Sequence, residues 1–101
     1  MHLLPTTTVA LEDDTAVDLR QPPGDIVVLS FADSDLGALA SAQARRPGGP
    51  SLRLASLRRL RHPLSVDLYA DATVAKSRFV VVRCLGGLEY WRYGVERLSA
   101  I

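Results

Sequence analysis

Two rhythms of apolar residues alternate along the chain. Asp25-Ile26-Val27-Val28-Leu29-Ser30-Phe31 is a continuous apolar run rich in β-branched residues, placed directly after the breaker Pro22-Pro23-Gly24. That pattern predicts a strand buried on both faces. Beyond it the spacing turns helical through Leu36, Leu39 and Ala40. Asp33-Ser34-Asp35 supplies an N-cap and first-turn acids, Arg45 and Arg46 suit the C-terminal dipole, and Pro47-Gly48-Gly49-Pro50 stops the helix. Ser51 to Ser56 alternates and predicts a shorter strand, while Leu57 to Arg61 allows only a turn of helix or a loop. Leu64, Leu68, Ala72 and Ala75 share one face of a second helix, with Pro63 near its start. Phe79 to Leu85 is the strongest strand signal and ends at Gly86-Gly87. Trp91, Val95 and Leu98 mark a third helix. Gly94 inside it costs about 1 kcal/mol relative to alanine, so close packing is expected to hold it there.

The order β-α-β-α-β-α implies right-handed crossovers and a parallel sheet. The expected fold is α/β, a small parallel sheet of three or four strands with βαβ crossovers and flavodoxin-like or Rossmann-like topology. It reads as an incomplete domain, because the third helix stops at Ile101, where a fourth strand is due. Residues 1–101 form one α/β subdomain in this reading, with βα units at 25–46, 51–76 and 78–101. Val9 to Leu11 and Ala16 to Leu19 are candidates for an added strand or hairpin within 1–20.

Composition narrows the class. The chain has 101 residues, 48% of them hydrophobic, one cysteine and a formal net charge of +1. It is too apolar for a disordered tail, has no apolar run of about 20 residues to cross a membrane, and cannot form an internal disulfide. The opening Met1-His2-Leu3-Leu4-Pro5 lacks the basic flank of a secretory signal. A soluble cytoplasmic protein is expected. The near-neutral total conceals polarity: residues 1–35 sum to −6 and residues 36–66, with six arginines and no acid, to +6. Pairing between these segments on folding is expected to satisfy much of that charge. The basic stretch holds no aromatic residue, so a solvated or protein-docking face is favoured over nucleic acid.

Motifs for self-contained chemistry are missing. Ser30-Phe31-Ala32-Asp33 has no glycine, Lys76 is the single lysine, and no phosphate loop occurs. His2 and His62 stand 60 positions apart, and His62 reads as a surface or capping residue, with a ligand-facing role as the alternative. Cys84 reads as a small buried hydrophobe. The loop Arg83-Cys84-Leu85-Gly86-Gly87-Leu88-Glu89-Tyr90-Trp91 follows the C-terminal end of a parallel strand, where open α/β sheets bind ligands. Its paired glycines allow close approach, and its aromatics either cover a flat ring or pack as core.

Leu60-Arg61-His62-Pro63-Leu64-Ser65-Val66-Asp67-Leu68-Tyr69 and Val80 through Gly94 together resemble the N-terminal region of the cobaltochelatase large subunit, the CobN family. Met1-His2-Leu3-Leu4, Ala16-Val17-Asp18-Leu19 and Asp25 through Ser30 are similar to the beginning of the same family. Cys84 departs from an expected aliphatic residue, and Arg45 to Pro50 is a variable stretch. The family is similar to the magnesium chelatase large subunit. The resemblance implies part of an ATP-dependent cobaltochelatase, a nitrogen–metal ligase of aerobic cobalamin biosynthesis. That enzyme inserts Co2+ into hydrogenobyrinic acid a,c-diamide, and two AAA+ partner subunits consume ATP with Mg2+. Family members are many times longer, so this chain is expected to be a fragment without catalytic, metal or cofactor residues of its own, inactive alone. Its role is expected to be structural or in docking partners.

Contact with the corrin precursor is the alternative role, through Arg83, Gly86, Gly87, Tyr90, Trp91 and His62. Outside the family, a stand-alone flavodoxin-like interaction or small-ligand module stays open. Neither nucleic acid nor membrane is an expected partner, and the exposed sheet edge allows a homodimer.

Overall fold

The architecture is that of a computed structural model, which describes residues 15–101. The strands are β1 (Ile26–Ser30), β2 (Leu52–Ser56) and β3 (Phe79–Arg83), and the helices are α1 (Asp33–Ala44), α2 (Pro63–Ala72) and α3 (Arg92–Ser99). Short 3-10 turns occupy Leu57–Leu60, Val74–Lys76 and Leu88–Trp91. All three strands are parallel in the order β2-β1-β3. Ile26 stands between Leu52 and Phe79, and Ser30 between Ser56 and Arg83. This is the opening of the flavodoxin-like order; in the Rossmann order the third strand lies outside the second. The expected fold class therefore holds, with the flavodoxin-like order selected.

Alternation on β1 divides the two faces. Val27 and Leu29 are fully buried in one cluster with Leu57, Leu60, Val66, Tyr69, Val74 and Trp91. Val95 and Leu98 of α3 pack against it, as their spacing predicted. On the other face α1 lies over β1 and β2 with no fully buried residue of its own. Leu36 and Leu39 are half-buried there.

Four expectations are corrected. The α2 face predicted from Leu64 and Leu68 points outward, leaving them 49% and 36% exposed. The inward face is Ser65, Val66, Tyr69 and Ala70, continued by Thr73. Polar bonds select it: Ser65 Oγ accepts from Val17 N–H at 2.7 Å, and Thr73 Oγ1 donates to the Gln21 carbonyl at 2.6 Å. Ala75 falls beyond the helix, in a 3-10 turn. At α1 the N-cap is Ala32, which has no side-chain acceptor, so Asp33 and Asp35 serve as first-turn acids and not as the cap. Ala16 to Leu19 forms no strand; it is an irregular segment whose Leu19 packs on the core. Val9 to Leu11 lies outside the described residues.

The charged segments meet only in part. Arg58 and Asp33 approach to 3.8 Å, but Asp35 pairs with Arg83, and Arg53 donates to the carbonyls of Pro22, Leu52 and Pro23. The α2–α3 contact is charged as well: Arg97 reaches Asp67 at 3.2 Å and Asp71 at 2.8 Å, and Tyr93 Oη donates to Asp67 at 2.7 Å. That bond, with burial, raises the Tyr93 hydroxyl above its ordinary pKa.

Candidate functional site

The C-terminal ends of β1 and β3 adjoin where the chain leaves the sheet in opposite directions, the usual ligand crevice of open α/β sheets. Ser30 closes β1 and Arg83 closes β3, in register with each other. Asp35, in the first turn of α1, bridges them. Ser30 Oγ donates to Asp35 Oδ2 at 2.9 Å and accepts from Ala32 N–H at 3.0 Å. Arg83 Nη1 donates to both Asp35 oxygens, at 2.8 and 2.9 Å. The crevice is thus strapped by the protein's own ion pair, and an incoming carboxylate must share Arg83 with Asp35.

Beyond β3 the backbone enters the left-handed region at Gly86 and Gly87, φ +93° and +98°. Tyr90 explains Gly86: a Cβ there would sit 2.6 Å from its ring. Cys84 Sγ donates to the Gly87 carbonyl at 3.1 Å, which tightens the turn. Tyr90 is 64% exposed. Arg83, Gly86, Gly87 and Tyr90 all lie at or just beyond the C-terminal end of β3, with Gly86 against the Tyr90 ring.

Trp91 and His62 are placed differently. Trp91 is 5% exposed and donates its indole N–H to the Leu60 carbonyl at 2.8 Å, so its ring belongs to the core. Gly94 packs beneath that ring; any side chain there would overlap the indole. His62 is the N-cap of α2, its Nδ1 accepting from Leu64 N–H at 3.1 Å. Near it, the Arg61 guanidinium stands 5.5 Å from the centroid of Phe31, and Arg61, Tyr90 and Arg92 line one shallow cleft.

Ser30 and Asp35 were not singled out from the sequence as a rim pair. The available signal was a polar residue ending an apolar strand five positions before an acid. Gln21 was also missed. Its amide donates to the Leu54 carbonyl at 3.1 Å, and its Oε1 accepts from Tyr69 Oη at 2.5 Å. Burial pushes Tyr69 up to about 12, against the pull of Arg53. At the opposite end of the sheet, Ser51 N–H and hydroxyl hold the Asp25 carboxyl below its ordinary pKa.

Among the described residues no three His, Cys, Asp or Glu side chains converge as metal ligands, and no helix is long and apolar enough to cross a membrane. The turn after β1, Ser30-Phe31-Ala32, has neither the glycines nor the lysine of a nucleotide-phosphate cradle, so these residues do not fit ATP.

No protein-family model and no solved structure matches the chain. Two curated proteins do. The chain is 48% identical over 101 residues to the aerobic cobaltochelatase subunit CobN of Sinorhizobium sp, a match covering 99% of the chain. It is 42% identical over 103 aligned positions to the aerobic cobaltochelatase subunit CobN of Pseudomonas aeruginosa, covering 100% of the chain. The chain spans about 8% of the length of each relative. Identity of this order over essentially the whole chain supports its assignment as CobN-family sequence, as its motifs implied.

Proposed function

We propose that the chain is an N-terminal segment of a cytoplasmic cobaltochelatase large subunit. In this reading the whole enzyme inserts Co2+ into hydrogenobyrinic acid a,c-diamide during aerobic cobalamin biosynthesis, and two AAA+ partner subunits use ATP and Mg2+. The end-to-end similarity to two CobN subunits carries the reading. The segment's own part is architectural: a small α/β unit that shapes the large subunit and docks its neighbours. The strapped crevice supports this, because Asp35 already occupies Arg83 and the indole of Trp91 is committed to the core.

A chimera tests it. The Sinorhizobium CobN subunit, with its matching segment replaced by these residues, should still insert Co2+ with its partner subunits, while deletion of the segment should abolish assembly or insertion. Full activity after deletion would refute the architectural role.

One observation favours a second role, contact with the macrocycle: exposed Tyr90 shares a cleft with Arg61 and Arg92, a flat ring beside cations, although an incoming carboxylate would have to share Arg92 with Glu89 and Glu96. Absorbance titration of the chain with a corrinoid separates the two. A spectral shift lost in Tyr90→Ala supports contact, and no shift leaves the architectural role.

A further inference from the structure

The two outer edges of the sheet are treated differently. Ile26 N–H donates to the Ser51 carbonyl at 3.0 Å, so strand parity turns the carbonyls of Leu52 and Leu54 away from β1. Both are taken by the chain itself: Arg53 Nη1 donates to Leu52 at 2.9 Å and the Gln21 amide donates to Leu54 at 3.1 Å. At the opposite edge, Phe79 N–H donates to the Asp25 carbonyl at 3.2 Å. Parity then turns the amides of Val80 and Val82 outward. Beside that edge lies an apolar strip: Phe79 is 68% exposed and Val81 51%, on the sheet face that α1 leaves uncovered over β3.

We propose that the edge of β3 left unpaired among the described residues is the docking edge for a further strand of the same polypeptide, supplied after Ile101 and laid parallel to β3, with the extension also roofing Phe79 and Val81. The inference rests on reading the chain as a segment of a longer subunit. Handedness selects this occupant. The crossover from β2 to β3 runs past β1 with α2 on the core face, and α3 packs beside α2 on that same face. A right-handed connection through α3 must therefore advance in the same direction, to the open side of β3. The matched relatives extend far enough to supply it, since the chain spans about 8% of their length. An all-parallel sheet with both faces covered is also the stable form of such a sheet.

Amide hydrogen exchange on the naturally encoded polypeptide tests this, with Val27 and Leu29 as the protected internal reference. The amides of Val80 and Val82 should exchange on the order of 100-fold slower than unpaired amides, independently of protein concentration. Fast exchange at both positions, beside slow exchange at Val27 and Leu29 in a subunit that still inserts Co2+, overturns the added strand and leaves the proposed function standing. Protection that appears only with a doubled mass assigns the edge to a second copy and overturns the proposal. A natural product that ends at Ile101 overturns both readings.

Discussion

Two glycines in helices make opposite predictions for one substitution. Gly94 in α3 lies under the indole of Trp91, and an added methyl would overlap the ring. Relief requires the ring to move, yet Trp91 is 5% exposed and its N–H satisfies the Leu60 carbonyl at 2.8 Å. Overpacking costs about 1–3 kcal/mol, and a buried carbonyl left without its donor costs about 1–3 kcal/mol more. Alanine's better helix propensity returns about 1 kcal/mol. Gly94→Ala should therefore lose about 1–5 kcal/mol. At about 4–8 °C per kcal/mol for a chain of this size, the melting temperature should fall by roughly 4–40 °C.

Gly37 in α1 meets nothing within 4 Å of an added Cβ. There the propensity term stands alone, and Gly37→Ala should gain about 0.5–1 kcal/mol. Thermal and urea unfolding followed by circular dichroism measures both. Trp91 is the single tryptophan, so its emission reports directly whether the ring has left the core. A Gly94→Ala protein as stable as the parent, with unchanged emission, would refute the packing argument. Destabilisation by Gly37→Ala would show that α1 is held by contacts other than its own propensity.

Other outcomes follow from single groups. The folded state holds the Tyr69 proton more tightly than the unfolded chain, with pKa about 12 against 10. Its stabilisation is whole below pH 10 and is lost as pH rises toward 12, on the order of 3 kcal/mol across the window. Urea midpoints in a Tyr93→Phe background should show this alkaline slope, and adding Tyr69→Phe should remove it; an unchanged slope assigns it elsewhere. His62→Ala should cost about 0.5–1 kcal/mol through loss of the α2 cap, and His62→Asp should restore it; equal stability of all three would exclude a capping role. Arg83→Gln should change stability by less than about 1 kcal/mol, since the guanidinium is 61% exposed. A larger loss in urea unfolding would mean that the strap across the crevice organises β1 and β3.

The β-α-β-α-β-α order was legible because each apolar run has one period and each boundary a breaker. The register of β1 between its neighbours was not, since a run such as Ile26-Val27-Val28-Leu29 looks alike from both faces. The face of α2 was misread for a related reason. Leu64 and Leu68 are its largest aliphatic residues, but the helix turns by polar tethers from Ser65 and Thr73 to a segment more than 45 positions away. Gly94 was readable as a packing glycine, and the surface it meets is the Trp91 ring. That Arg83 ends a strand and Gly86, Gly87 and Tyr90 follow it was legible from the apolar run before them. The pairing of Arg83 with Asp35 spans 48 positions and has no local signature.

The plugged edge of β2 has a consequence for self-association. A sheet with two open edges can recruit copies on both sides and grow without limit, which is the route to fibres. Here Gln21 and Arg53 occupy the outward carbonyls of Leu54 and Leu52, so a copy joining through β3 presents a weakened template on its far side. Association through strands should stop more readily at a pair. A Gln21→Ala, Arg53→Ala protein would lose that stop, and light scattering at high concentration should reveal open-ended growth where the parent shows none.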